Sequence, residues 1–268
     1  MSASAEKRSV FITGGANGIG EATARRFAAE GWFVGVYDVD MAGARRLSDE
    51  LGWETARGGM LDVTNPTQWD YALKEFVAAA GGRLDLLINN AGILRAGRLA
   101  DVPLTAHHAT IDVNVNGVIN GCHAAYPYLK ETPGSGVINL CSASAIYGQP
   151  EIASYSASKF AVRGLTEALE LEWRADGIRV QAVWPLWVKT ALLEGNHATS
   201  TETMGVNLTV DDVATQILAM TRKPGLMGRI RTSPVHTAVG FPAKALATAA
   251  DLVPSVISRE INKWISKA

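Results

Sequence analysis

The sequence predicts an α/β protein, built as a doubly wound parallel sheet with helices on both faces. Apolar segments of strand length alternate regularly with segments of helical periodicity along the chain. The strand segments are apolar throughout, which is typical of parallel strands that are buried on both faces. With 268 residues, the chain is long enough for one large domain with a sizeable core.

Seven strands and six helices are predicted in alternation. The predicted strands are 10–13, 33–38, 54–61, 84–89, 137–141, 179–184 and 229–232. The predicted helices are 19–30, 42–51, 66–79, 104–129, 155–175 and 210–221. No linker or repeat interrupts this order. We therefore expect residues 1–268 to form a single domain with a helical C-terminal extension at about 238–268.

Charge and cysteine content narrow the function. The chain has 25 basic and 26 acidic residues, which gives no electrostatic reason to expect a nucleic-acid partner. No apolar run reaches the length of a membrane span, and the polar N-terminal residues lead into a strand without a secretory signal. Cys122 and Cys141 lie in apolar stretches without metal-ligand spacing. We expect buried free thiols, a cytoplasmic location and no metal site.

Three glycines, Gly14, Gly18 and Gly20, lie where the first predicted strand passes into the first helix. Their spacing, Gly-x-x-x-Gly-x-Gly, allows a tight turn and close approach of the backbone to a diphosphate at the positive end of the helix. A turn without a ligand is the alternative interpretation. The next strand ends at Asp38, where an acid can accept hydrogen bonds from both hydroxyls of a ribose.

Asp38 also favours NAD over NADP. A 2′-phosphate about 4 Å from this carboxylate would lose roughly 4 kcal/mol per charge pair at an effective dielectric constant of about 20. Neither Asn17 nor Val39 is basic, and Arg45 and Arg46 lie a helical turn or more away.

A hydroxyl, a phenol and an ammonium group are expected to converge near the end of the fifth strand. Ser142 follows that strand directly, and Tyr155 and Lys159 lie on one face of the next helix. A cation about 4 Å from a phenolate stabilises it by roughly 4 kcal/mol, enough to bring the tyrosine pKa from about 10 to near 7. A chance pair on a helix surface is the alternative.

These motifs together resemble the short-chain dehydrogenase/reductase superfamily, over residues 10 to about 232. TGGANGIG at 13–20 is similar to the family's cofactor loop, and LDV at 61–63 to its adenine-contacting element. NNAG at 89–92 and VNVNG at 113–117 are similar to the motif after the fourth strand and to the segment with the active-site asparagine. The resemblance implies a Rossmann-type, dinucleotide-binding catalytic domain. It also implies hydride transfer between NAD and a secondary alcohol or ketone.

The resemblance assigns catalysis to a tetrad of Asn114, Ser142, Tyr155 and Lys159. In oxidation, Tyr155 accepts the hydroxyl proton and Ser142 holds the reacting oxygen. Lys159 lowers the tyrosine pKa and binds the nicotinamide ribose, while Asn114 supports a water that links Lys159 to solvent. The implied cofactor-binding residues are Gly14, Asn17, Gly18, Ile19, Gly20, Asp38, Asp62, Val63, Asn90, Ala91, Gly92, Tyr155, Lys159, Pro185, Val188 and Thr190.

One departure from the family pattern is Leu186, which stands where a glycine usually follows the proline. If that position needs a positive φ, Leu186 must bend the loop differently or carry strain. The segment 192–206, rich in Ser, Thr, Gly and Asn, is expected to form a mobile lid. Few charges line the expected substrate pocket, which favours a neutral, apolar alcohol or ketone. The expected pocket residues are Ser142, Ala143, Ser144, Tyr147, Gln149, Trp187, Leu192, Leu193 and Met204.

Assembly is expected through the helices at 104–129 and 155–175, which are apolar beyond one face. The resemblance implies a homodimer or homotetramer built on these helices. For the C-terminal helices, packing on the body or on a neighbouring subunit is favoured over a lid or an interfacial membrane contact. A non-catalytic dinucleotide sensor or scaffold is the alternative function, and the intact Ser142, Tyr155 and Lys159 argue against it.

Overall fold

Seven parallel strands form one sheet in the computed structural model, which describes residues 7–193, 195–196, 198–222, 235–240 and 243. The strands are β1 (Ser9–Thr13), β2 (Phe33–Asp38), β3 (Ala56–Met60), β4 (Leu86–Asn89), β5 (Gly136–Leu140), β6 (Arg179–Pro185) and β7 (His236–Val239). Their order is β3-β2-β1-β4-β5-β6-β7, and every neighbouring pair is parallel. The predicted doubly wound, seven-stranded parallel sheet is confirmed.

Helices connect these strands. They are α1 (Gly18–Ala29), α2 (Met41–Leu51), α3 (Pro66–Ala79), α4 (Leu104–Ile111), α5 (Gly117–Lys130), α6 (Ala153–Glu172), α7 (Thr199–Met204) and α8 (Val210–Met220). Local sequence explains several of the starts: Asn65 caps α3, and Thr209 forms a capping box with Asp212 at α8. In the part of the chain that the structure describes, no helix is both long and apolar enough to cross a membrane.

The sheet separates two hydrophobic cores. Val10 and Ile12 of β1 face the core that also holds Phe27 of α1 and Ile217 of α8. Phe11, between them, faces the core that contains side chains of α3, α5 and α6. Successive residues of a strand point to opposite faces, so an apolar strand supplies both cores.

The structure corrects the prediction of one continuous helix over 104–129. A π-helical turn, Asp112–Asn116, separates α4 from α5. The turn places Asn114 in the interior, where its side chain bonds the backbone of Ile93, a contact that local sequence does not reveal. The short helix α7 was not predicted either.

Two predictions fall wholly or largely outside the described residues. The predicted strand at 229–232 lies wholly outside them, and the seventh strand that the structure describes is His236–Val239. Nearly all of the expected helical extension at about 238–268 also does so.

The chain reverses direction across the sheet between β1 and β4, which are neighbours. In a doubly wound sheet, this point leaves a crevice at the carboxyl ends of the strands. The glycine turn after β1 and the residues after β4 and β5 therefore meet at one edge.

Candidate active site

The glycine turn after β1 is as tight as its sequence predicts. A Cβ on Gly20 would lie 2.0 Å from the carbonyl oxygen of Gly14, so no other residue fits there without moving the turn. Gly14 itself has a φ of 63°, and a Cβ on it would lie 2.8 Å from Cα of Ala91. Gly20 thus serves the packing of the turn and is not among the residues lining the adjacent cleft.

A cleft of about 360 Å³ runs along this edge of the sheet. It begins beside the N-terminus of α1, where the cap residue Asn17 makes no side-chain hydrogen bond to the helix. Backbone N–H groups at such a terminus suit a diphosphate. All of the predicted cofactor-binding residues except Gly20 line this cleft or the cavity that continues it. In the cleft they are Gly14, Asn17, Gly18, Ile19, Asp38, Asp62, Val63, Asn90, Ala91, Gly92 and Thr190, and Tyr155, Lys159, Pro185 and Val188 line only the continuing cavity.

Thr13 and Asn90 hold the glycine turn against the end of β4. The Asn90 amide donates to the carbonyl oxygens of Thr13 and Gly14, both at 2.9 Å. The Thr13 hydroxyl accepts from the backbone nitrogens of Asn90 and Ala91 at 3.0 and 3.1 Å. Asn90 therefore contributes to the cleft by shaping it, and Thr13, which sequence reasoning missed as a site residue, does the same.

Asp38 is fixed at the end of β2 and is 8 % exposed. Its two carboxylate oxygens accept from the backbone nitrogens of Ala16 and Asp40, each at 3.0 Å. A carboxylate has about four acceptor positions, so both oxygens can take a further hydrogen bond from a ligand. Arg45 and Arg46 are exposed on α2 and do not line the cleft, as the sequence suggested.

Ser142, Tyr155 and Lys159 converge on a smaller cavity of about 80 Å³, which continues the cleft. The two spaces share several lining residues, which are Ile19, Asn90, Gly92, Leu140, Thr190 and Leu192. Tyr155 and Lys159 are 8 % and 5 % exposed, and Tyr155 shares a hydrogen bond with Ser142. The predicted hydroxyl, phenol and ammonium group are thus brought together.

Burial dominates the electrostatics of this cavity. It raises the pKa of Tyr155, and the hydrogen bond with Ser142 acts in the opposite direction. It also lowers the pKa of Lys159, whose ammonium group donates to the carbonyl oxygen of Leu140 at 2.8 Å. The ammonium nitrogen lies 5.4 Å from the centre of the Tyr155 ring. Lys159 alone therefore does not bring the pKa of Tyr155 below its ordinary value, as the sequence had led us to expect.

Asn114 is fully buried in the π-helical turn and lines neither space. Its side chain accepts from the nitrogen of Ile93 at 2.8 Å and donates to the oxygen of the same residue at 2.9 Å. It also donates to Ser158 at 3.1 Å, next to Lys159 on α6. In this geometry, Asn114 joins the chain after β4 to the helix that carries Tyr155 and Lys159.

Most of the predicted substrate-binding residues line the cavity. They are Ser142, Ala143, Ser144, Gln149, Trp187, Leu192 and Leu193. Tyr147 does not line it; this residue is partly buried, and burial raises its pKa to about 12. The side chain of Met204 lies outside the described part. Leu186 does not have a positive φ, so it carries no backbone strain of the kind expected.

Comparisons with known proteins agree with this geometry. A family profile described as short chain dehydrogenase matches residues 8–201. A 3-alpha-(or 20-beta)-hydroxysteroid dehydrogenase of Mycobacterium tuberculosis is 39 % identical over 184 residues, which are 69 % of this chain and 70 % of that one. A cyclohexanol dehydrogenase of an Acinetobacter species is 33 % identical over 197 residues, 72 % of this chain and 78 % of that one.

A solved structure is similar over most of its length. It is the 3-ketoacyl-(acyl-carrier-protein) reductase from Brucella melitensis complexed with NADH, with a TM-score of 0.79 and 29 % identity. The match covers 88 % of this chain and 98 % of that one. On this fold, these motifs and these relatives, the chain belongs to the short-chain dehydrogenase/reductase superfamily, and it is an oxidoreductase that uses a nicotinamide cofactor.

Proposed function

We propose that this protein is an NAD-dependent dehydrogenase or reductase that acts on a neutral, mainly apolar secondary alcohol or ketone. The observation that carries the proposal is the convergence of Ser142, Tyr155 and Lys159 on one cavity, continuous with a cleft that ends at Asp38. Residues 1–268 act in this proposal as one catalytic domain.

The residues around the cleft fit a nicotinamide dinucleotide. The N–H groups at the start of α1 would hold its diphosphate, and Asp38 its adenosine ribose. Asp62 and Val63 would flank the adenine, and Val188 and Thr190 the carboxamide, while Lys159 would bind the nicotinamide ribose. NAD is preferred because Asp38 repels a 2′-phosphate and the basic residues Arg45 and Arg46 are outside the cleft.

The chain's own groups manage the proton and the reacting oxygen. A bound oxidised cofactor would supply the hydride acceptor and a positive charge near the phenol. Tyr155 as phenolate takes the hydroxyl proton, and as phenol returns it in the reverse direction. Ser142 donates to the reacting oxygen and orients it. Lys159 adds a positive charge near the phenol ring, and Asn114 positions α6 through Ser158.

The substrate class follows from the cavity lining and from the relatives. Apolar groups of Ala143, Leu186, Trp187, Leu192 and Leu193 form much of the wall. The relatives named for hydroxysteroid and cyclohexanol dehydrogenation act on neutral cyclic alcohols by their names. The two buried free thiols are compatible with the cytoplasmic location expected from the sequence.

We also propose a homodimer or homotetramer that uses the outer faces of α4, α5 and α6. Large apolar side chains exposed on these helices are Leu104, Ile111, Ile119, Phe160 and Leu171. Val118 of α5 faces inward and belongs to the core.

A panel of secondary alcohols with NAD, followed by absorbance of the reduced cofactor, tests the proposal. Cyclic apolar alcohols should be oxidised faster than charged or small polar ones. No turnover of any alcohol by protein that binds NAD would contradict it and favour the sensor alternative.

A further inference from the structure

The side chain of Gln149 lies in the cavity wall with both ends of its amide bonded to buried hydroxyls. Gln149 is 4 % exposed, and Ser144 and Ser200 are 2 % and 3 % exposed. The amide nitrogen donates to the Ser144 hydroxyl at 3.2 Å, and the amide oxygen accepts from the Ser200 hydroxyl at 2.9 Å. Ser200 belongs to α7, so the amide connects that helix to the cavity.

The connection continues to Ser142. The hydroxyl oxygens of Ser142 and Ser144 are 3.2 Å apart, with Ser142 as donor, and the backbone nitrogen of Ser144 donates to the Ser142 hydroxyl at 3.1 Å. Four side chains thus form one hydrogen-bonded series from α7 to the hydroxyl that faces Tyr155.

The number of protons in this series limits what each hydroxyl can do. A serine hydroxyl has one proton and two acceptor positions. Because the Gln149 amide donates to Ser144, the proton of Ser144 is not used on Gln149. Between Ser142 and Ser144 only one proton is needed, and rotation of the two hydroxyls decides which residue supplies it. When Ser144 supplies it, the Ser142 proton is left for an oxygen in the cavity.

We propose that Gln149 is a positioning residue, which keeps the Ser144 proton available to Ser142 so that Ser142 can donate to the reacting oxygen. Ser200 holds the amide in the required orientation by donating to its oxygen. The inference deepens the proposed function and rests on it. It assigns no contact with substrate to the Gln149 amide.

The sharpest test compares Gln149→Glu with Gln149→Met. A glutamate carboxylate only accepts, so it competes with Ser142 for the Ser144 proton, whereas methionine has a similar length and takes no strong hydrogen bond. Below its pKa the glutamic acid donates again, as the amide does. Burial raises a carboxyl pKa, which brings this change toward neutral pH.

The measurement is the rate of ketone reduction with NADH from pH 5 to 9, expressed as a ratio to wild type at each pH. For Gln149→Glu, kcat should fall roughly tenfold or more at high pH, with little change in KM. That is less than the about hundredfold loss for removing an oxyanion donor outright. The ratio should recover as pH falls. For Gln149→Met, the ratio should be reduced and independent of pH.

Ser156→Ala is the matched control. The Ser156 hydroxyl is also buried and accepts from the backbone nitrogen of Gln149 at 3.1 Å, outside the series. The Ser156→Ala variant should leave the pH profile of kcat unchanged, even where its thermal unfolding temperature differs from that of wild type. A Gln149→Glu ratio that is flat with pH, or that follows the Ser156→Ala ratio, would overturn the inference while leaving the proposed function intact. Failure of the proposed function appears separately, as wild-type protein that binds NADH and reduces no ketone.

Discussion

The backbone nitrogen and the hydroxyl of Thr199 both donate to the same carboxylate oxygen of Glu151, at 2.7 and 3.0 Å. Thr199 is the first residue of α7, so a side chain from a distant loop caps this helix. Glu151 has a φ of 65° and is the one non-glycine residue with a positive φ in the described ranges. Its carbonyl oxygen also accepts from Gly97 at 2.7 Å. One strained residue therefore holds two segments beside the cavity.

Glu151→Ala and Glu151→Gly separate the cap from the strain. Alanine removes the cap and keeps a side chain in the left-handed region, so the free energy of unfolding should fall by about 1 kcal/mol. Glycine also removes the cap but relieves the strain, and should recover about 1 kcal/mol of that loss. Urea unfolding of both variants measures the difference. Equal stability of the two would show that the φ of Glu151 carries no cost.

Tyr155→Phe should lower turnover by at least about a hundredfold, the usual scale for loss of an acid–base group. NAD affinity should change little, because the phenol ring remains. Steady-state rates and a fluorescence titration with NAD check the two halves. Turnover within a few fold of wild type would remove Tyr155 from the catalytic role.

Asp38→Ala should narrow the preference for NAD over NADP, because it removes the repulsion of a 2′-phosphate and two acceptors for the ribose. Asp40→Asn is the matched control, since Asp40 caps α2 nearby and does not line the cleft. The control variant should keep the wild-type ratio of the Kd for NADP to the Kd for NAD. Tighter binding of NADP than of NAD by wild type would contradict the assignment.

Alkaline pH should destabilise the protein through its buried thiols. Burial raises the pKa of Cys122 from 9.0 to about 12 and that of Cys141 to about 11. Above pH 9.0 the unfolded chain releases these protons while the folded protein keeps them, so stability falls as pH rises to the folded pKa. Each thiol contributes a slope of about 1.4 kcal/mol per pH unit in its window.

Cys122→Ser removes one such thiol and keeps a small polar group beside Asn89. Urea unfolding under reducing conditions between pH 8 and 11 should then give a slope that is smaller by about 1.4 kcal/mol per pH unit above pH 9. An unchanged slope would exclude Cys122 as a source of the pH dependence.

Ile119→Glu should reduce the assembly to a smaller species. The change puts a charge on an exposed apolar face of α5, which a partner subunit would have to desolvate. Tyr71→Glu changes an apolar residue on α3 that is more exposed than Ile119, and it should leave the mass by light scattering unchanged. A wild-type monomer would rule out the proposed assembly.

The local sequence was sufficient to predict those parts of the site whose residues lie close together in the chain. The glycine turn and the pair of Tyr155 and Lys159 depend on spacing within one turn or one helix, and spacing is visible in sequence. The Thr13–Asn90 contact and the cap from Glu151 to Thr199 join residues far apart in the chain. No periodicity marks such pairs. The direction of the Tyr155 pKa shift was missed for a similar reason, since burial depends on the whole fold.

The π-helical turn Asp112–Asn116 also sets the rotational phase between α4 and α5, which directly precede and follow it in the chain. Each residue of an α-helix advances the direction of its side chains by about 100°, so one additional residue in a wide turn re-aims everything that follows. Downstream, Gly121 of α5 approaches Trp69 so closely that a Cβ there would lie 2.7 Å from the indole ring. Deleting one residue within the turn would therefore bring the next residue, Cys122, to the position of Gly121 and its side chain against that ring. The close packing of Gly121 therefore limits insertions and deletions in the π-helical turn, although the two lie more than one helical turn apart.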